Sequence, residues 1–163
     1  MRNGDSEQVT DAEEIDVSPD PSPDGYSLAF SSARGGPVSV WTIPASGGKR
    51  LRINDGGYAP RYSPDGRSIL FWNKGALWTM NSEGGNVRMV REGVPEPTVA
   101  VWTPKGPAVV AEGEIRSADA TLFSSQRPIW PVFAVLPDGR FVIAPVDIHE
   151  TGLWAVDLIY KEY

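Results

Sequence analysis

Catalysis by side chains needs a nucleophile, a titrating base, a metal-binding set or a phosphate cradle, and this sequence is poor in all four. His149 is the only histidine, and cysteine is absent. A Ser-His-Asp arrangement would have to use His149 as its general base, yet no Gly-x-Ser-x-Gly turn presents a serine. One histidine without cysteine excludes a histidine-rich or thiolate zinc set, a cysteine nucleophile and a disulfide framework. No phosphate loop, dinucleotide fingerprint or helix–loop–helix calcium loop can be written on the chain. The sequence therefore assigns no catalytic residue, no cofactor and no metal, and His149 reads as a solvent-facing loop residue.

Carboxylates are plentiful, but the most regular ones recur rather than converge. Ser22-Pro23-Asp24-Gly25 returns as Ser63-Pro64-Asp65-Gly66, loosely as Thr103-Pro104-Lys105-Gly106, and again as Leu136-Pro137-Asp138-Gly139. The first residues of these tetrapeptides are 41, 40 and 33 positions apart. A residue demanded once per repeat solves the same backbone problem each time. Proline presets φ, aspartate hydrogen-bonds to the backbone beyond it, and glycine takes positive φ, so each tetrapeptide reads as a tight turn.

The elements around those turns are short strands. About two residues after each tetrapeptide comes an apolar stretch: Leu28-Ala29-Phe30, Ile69-Leu70-Phe71, Val109-Val110 and Phe141-Val142-Ile143. Trp41-Thr42-Ile43 then leads to Gly47-Gly48, and Trp78-Thr79-Met80 leads to Gly84-Gly85. Trp154-Ala155-Val156 is a third copy of the tryptophan strand. Alternating runs follow both glycine pairs, as expected of half-buried strands. Each repeat is thus four antiparallel strands in about 40 residues, the size of one propeller blade, which must stack on neighbours to bury its faces.

The Ser-Pro-Asp-Gly-x-x-(apolar)₃ pattern with its downstream Trp and Gly-Gly resembles the WD40-like (PD40) repeat of TolB-type β-propellers. Residues 18–91 match over two full repeats, 96–125 weakly because Lys105 replaces the turn aspartate and no Trp/Gly-Gly element follows, and 131–158 moderately. The expected fold is all-β, a propeller of about four four-stranded antiparallel blades. Those blades are 16–53, 57–91, 96–125 and 131–160, the last completed by residues 5–10 as a closing outer strand. TolB-like propellers usually have six or more blades, so a larger ring and a ring shared by two copies through blade completion are the alternatives to one small closed ring. The resemblance also implies an interaction platform of the bacterial envelope. Similar repeats accompany peptidases and receptor kinases, with catalysis in a separate domain.

Composition agrees with this class and removes others. Gly and Pro number 17 and 15 among 163 residues, which argues against a helical bundle, while 40% hydrophobic residues argue against disorder. No apolar run approaches the roughly 20 residues that span a bilayer. The acidic first 20 residues do not form a signal peptide. Net charge is −6, with eight acids and only Arg2 as a base in residues 1–24, so nothing resembles the basic footprint of a nucleic-acid binder.

In a propeller the Pro-Asp-Gly and Gly-Gly turns share one face, and the opposite face carries the connectors and the loops between second and third strands. That face holds Glu13, Glu14, Asp16, Arg34, Tyr58, Lys74, Glu112, Arg116, Trp130 and His149, a mixed polar rim suited to a protein or peptide partner. The sequence reading is a non-enzymatic binding module. The rivals are the accessory propeller of a larger enzyme and a hydrolase or lyase with its site in the channel.

Overall fold

The computed structural model describes residues 8–10, 14–94, 99–111, 114–117, 120–124, 129–135, 141–145 and 154–156. They are all-β, with no helix among the described residues. The first sheet has strands β1 (Asp16–Pro21), β2 (Ser27–Ser32), β3 (Ser39–Pro44) and β4 (Leu51–Asn54) in that order. The second is β5 (Tyr58–Tyr62), β6 (Ser68–Asn73), β7 (Ala76–Asn81) and β8 (Arg88–Glu92). The third is β9 (Val99–Thr103), β10 (Gly106–Ala111), β11 (Glu114–Ser117) and β12 (Thr121–Ser124). A last sheet has three described strands, β13 (Ile129–Val135), β14 (Phe141–Pro145) and β15 (Trp154–Val156). The pairings in each sheet are antiparallel, as consecutive strands joined by short turns require.

The chain divides into two units, Met1–Lys74 with Trp78–Arg88, and Gly75–Leu77 with Met89–Tyr163. In the first unit, Ala29 and Val40 of the first sheet pack on Ile69, Phe71 and Met80 of the second, flanked by Ile53, Tyr62 and Trp78. The small residues on one sheet make room for the large ones on the other, and each large side chain buried there contributes about 1.5–3 kcal/mol. In the second unit, Ala108, Val109, Val110 and Ile115 are buried in the third sheet.

The turns behave as their chemistry demands. Asp24 accepts the Ser22 hydroxyl at 2.6 Å and the Tyr26 N–H at 3.0 Å, and Gly25 closes the turn at φ 76°. Asp65 repeats this with the Ser63 hydroxyl at 2.6 Å and the Arg67 N–H at 3.0 Å, with Gly66 at φ 71°. These bonds to the charged form hold both carboxyls below the usual aspartate range, the serine hydroxyl being the largest cause. Pro137, Asp138 and Gly139 lie outside the described residues.

A feature of the first strands was not expected from sequence. The register slips between Val17 and Asp20, between Tyr58 and Arg61, and between Trp130 and Phe133, which are equivalent places in three repeats. Ser18 and Ala59 sit there at φ 52°, each followed by proline. β1 and β5 are edge strands of their sheets, where a bulge and a missing proline N–H cost little.

Two sequence placements differ in the structure. Arg116 lies in β11 and Trp130 in β13, strands rather than loops. Glu114-Ile115-Arg116-Ser117 alternates as a strand does, and Trp130 starts the bulge that accommodates Pro131. Of the proposed closing strand 5–10, residues 5–7 lie outside the described residues.

A polar surface along the first strands

Two strand ends and one loop bring charged groups together in the first unit. Asp16 begins β1, and Arg34 follows β2, the strand paired with β1. The Asp16↔Ser32 register therefore sets the two side chains side by side, and Arg34 Nη2 donates to Asp16 at 3.1 Å. Both are mostly buried, at 12% and 16% side-chain exposure, so this pair is held more firmly than a surface ion pair. Glu14 is exposed just before β1, Tyr58 opens β5 opposite Trp72, and Lys74 is exposed in the turn after β6 at φ 50°. In the second unit Arg116 pairs with Glu114 on its own strand. Glu13, Glu112 and His149 lie outside the described residues. Of the candidates, then, Asp16 and Arg34 are brought into direct contact.

A second group, missed in the sequence, sits farther along β1 and β5. Asp20 accepts the Tyr62 N–H at 2.7 Å and faces Arg61 Nη1 at 3.6 Å. Burial pushes the Asp20 carboxyl up, while the Tyr62 N–H and the Arg61 charge pull it down and only partly offset the desolvation. Burial, with the carboxylates of Asp24 and Asp20, also raises the Tyr62 phenol. A signal for the Asp20–Arg61 pair existed: both residues stand two positions before a Ser-Pro-Asp-Gly turn, so the repeat places opposite charges at one register.

Buried serines of β2 and β3 hold β5 and the connector before it. Ser31 accepts the Ala59 N–H at 2.8 Å, which satisfies a backbone donor in the β5 bulge. Ser39 accepts both the Gly56 N–H at 3.1 Å and Arg52 Nη2 at 2.8 Å, and donates to the Pro37 carbonyl at 2.8 Å. Such groups rigidify the surface by leaving few polar atoms to water. Among the described residues no three His, Cys, Asp or Glu side chains are grouped to hold a metal ion. Chemically the surface offers oriented charge pairs and phenols, the groups that recognise a polar partner.

No family model matches the chain. An uncharacterised protein of Agrobacterium fabrum is 28% identical over 117 residues, covering 61% of this chain and 40% of that protein. Among solved structures, a putative TolB from Agrobacterium tumefaciens matches 78% of this chain and 53% of its own, with TM-score 0.62 at 19% identity. The fold is a TolB-like β-propeller fold. The Dos1 propeller matches with TM-score 0.57 at 12% identity, over 85% of this chain and 41% of that one. A puromycin-hydrolysing peptidase of Mycobacterium tuberculosis matches with TM-score 0.58 at 18% identity, over 81% and 28%. The four sheets are thus blades, and the chain spans 40% of the curated relative and about half or less of these structures.

Proposed function

We propose that this propeller is a non-enzymatic module of PD40-type repeats that recognises a protein or peptide through its loop-end face. The observation that supports it most is the rim of the first two blades. There the Asp16–Arg34 pair, at the start of β1 and just after β2, stands beside the exposed apolar side chains of Ile15 and Val17, and Tyr58 and exposed Lys74 follow on the second blade. Paired charges mixed with apolar contacts give specificity and orientation to a docked chain. The partner is a protein or peptide rather than a nucleic acid, because the surface has no excess of positive charge.

The test is affinity capture from the host lysate on the immobilised chain, in parallel with a Glu14→Lys, Lys74→Glu double variant. Both residues are exposed, so the variant keeps the fold. A partner held by the native chain and lost by the variant is the expected result; no specific retention, or equal retention by both, overturns the reading.

The likeness to the puromycin-hydrolysing peptidase, of which this chain spans 28%, favours a second reading. In that reading the chain is the accessory propeller of a larger enzyme, a peptidase or receptor kinase, and catalysis resides in another domain. The sequence of the surrounding gene distinguishes the two.

A further inference from the structure

An Asp-Gly bond can rearrange wherever the backbone is free to bend at it. The glycine amide nitrogen attacks Cγ of the aspartic acid, its proton and the carboxyl hydroxyl depart as water, and a cyclic succinimide remains. Water then opens either carbonyl of the ring and returns aspartate or leaves isoaspartate, whose main chain is a methylene longer. Glycine permits the attack because it has no side chain to hinder it. Asp24-Gly25, Asp55-Gly56 and Asp65-Gly66 are the Asp-Gly pairs among the described residues, and the fold guards them unequally.

Asp24 and Asp65 are guarded at both reacting atoms. The Gly25 N–H donates to the Ser22 carbonyl and the Gly66 N–H to the Ser63 carbonyl, each at 2.8 Å. Their carboxylates are tied to a serine hydroxyl and to the N–H two residues on. Those bonds, the hydroxyl first, hold both groups below the usual aspartate range, and an ionised carboxylate is a poor target for attack. Asp55 stands otherwise, in the connector between β4 and β5, with its side chain 89% exposed and meeting Arg52 Nε at 2.9 Å in a surface pair of little strength. The Gly56 N–H donates not to a turn carbonyl but to the Ser39 hydroxyl at 3.1 Å, an acceptor that Arg52 Nη2 shares at 2.8 Å.

We propose that Asp55-Gly56 is a site of isoaspartate modification, and that the conversion unseats the second blade from the first. The added methylene enters the connector immediately before Gly57. That residue already has no room to move inward, since a Cβ on it would lie 2.6 Å from the Phe71 ring and 2.8 Å from the Trp72 carbonyl. Lengthening the chain there shifts the Gly56 N–H from Ser39 and presses Gly57 on Phe71, both within the first unit.

The experiment ages the full chain at body temperature in mildly acidic buffer and locates isoaspartate by peptide mapping with electron-transfer fragmentation. A urea-unfolded sample and Asp55→Glu run beside it; glutamate keeps the charge but closes a larger ring far more slowly. In the native chain isoaspartate should form at Asp55 at least about tenfold faster than at Asp24 or Asp65, and in urea the rates should converge. Melting temperature should fall as Asp55 converts, while Asp55→Glu keeps its own through the same period. Ser39→Ala removes the acceptor of the Gly56 N–H and should speed the conversion about fivefold. Asp24 or Asp65 reacting as fast as Asp55 in the native chain overturns the site, as does an Asp55 that converts only in urea. Conversion without a fall in melting temperature overturns its effect on the seating of the second blade.

Discussion

The first two blades and the third build the same four-stranded sheet from different local devices. In the first two, five residues join the first strand to the second, and a carboxylate locks the turn. In the third, only Pro104 and Lys105 intervene, Gly106 pairs directly with Thr103, and the β9–β10 register runs without a slip. The third blade also lacks a tryptophan on its third strand. The sheet is therefore specified by alternating apolar residues, and the turn, bulge and tryptophan are local additions that a blade can lose together.

If so, damage should be greatest where a residue serves the stacking of blades rather than one turn. Gly57, in the connector between the first two blades, has φ 91°, and a Cβ there would lie 2.6 Å from the Phe71 ring and 2.8 Å from the Trp72 carbonyl. Gly57→Ala should cost about 4 kcal/mol or prevent folding, from strain and collision with a filled core. Urea unfolding measures it. A loss under about 1 kcal/mol would mean that the blades separate more easily than their packing indicates.

The turns themselves come next, and their glycines should respond differently. Gly66→Val should cost about 2 kcal/mol, because φ 71° is unfavourable for a β-branched residue, whereas Gly66→Asn should cost less than about 1 kcal/mol. Gly106 sits at φ 115°, outside the left-handed region that asparagine tolerates, so Gly106→Asn should be nearly as damaging as Gly106→Val. Equal rescue by asparagine at both sites, read from thermal melts, would erase the distinction between the turns.

Ser31→Ala tests the seam. It leaves the Ala59 N–H without its acceptor and should cost about 1–2 kcal/mol. Ser31→Thr keeps the acceptor and separates that loss from a packing effect. If alanine and serine are equally stable in urea, the β5 bulge does not depend on this tie.

The carboxylates predict opposite signs with pH. Asp24 and Asp65 titrate below their unfolded value, so their stabilisation is present above about pH 4 and is lost as pH falls through the folded value. Asp20 titrates above its unfolded value, so ionising it costs stability as pH rises through that window. Asp65→Asn should flatten the fall in melting temperature below about pH 4, whereas Asp20→Asn should remove a loss of stability that sets in as pH rises from about 4 through the raised folded value. Identical profiles for both variants would refute the assignment.

Much of this was legible in the sequence. The turn tetrapeptides announced the repeat, and Trp41, Trp78 and Trp154 fall on third strands as their spacing indicated. The serine ties were not legible, because periodicity reports what each blade shares, while Ser31 and Ser39 act through partners the fold brings from elsewhere, the Ala59 and Gly56 N–H groups. Arg116 was read as a loop residue because no Trp/Gly-Gly element marks the third strand of its repeat, and Trp130 because it stands just before 131, where the repeat sets the start of the last blade. The tryptophans show the same limit: Trp78 Nε1 donates to the Asn73 carbonyl at 3.2 Å across a two-residue turn. Trp41 follows a longer loop, and its buried Nε1 has no acceptor among the described residues.

The smallest effect is expected at Lys105, and it separates sequence likeness from physical equivalence. Restoring aspartate would complete the motif on paper. In the first two blades, however, the carboxylate accepts the N–H two residues on, from Tyr26 or Arg67. Two residues beyond position 105 stands Pro107, which has no N–H to give. Lys105→Asp should therefore change stability by less than about 0.5 kcal/mol, its gain limited to the Thr103 hydroxyl. Adding Pro107→Ser supplies the missing donor, and the double variant should be more stable than the sum of its parts in a thermal-melt cycle. If Lys105→Asp alone stabilises by more than about 1 kcal/mol, the third turn can rebuild itself in the form of the first two, and its short register is a consequence of the lysine rather than of the residues that follow it.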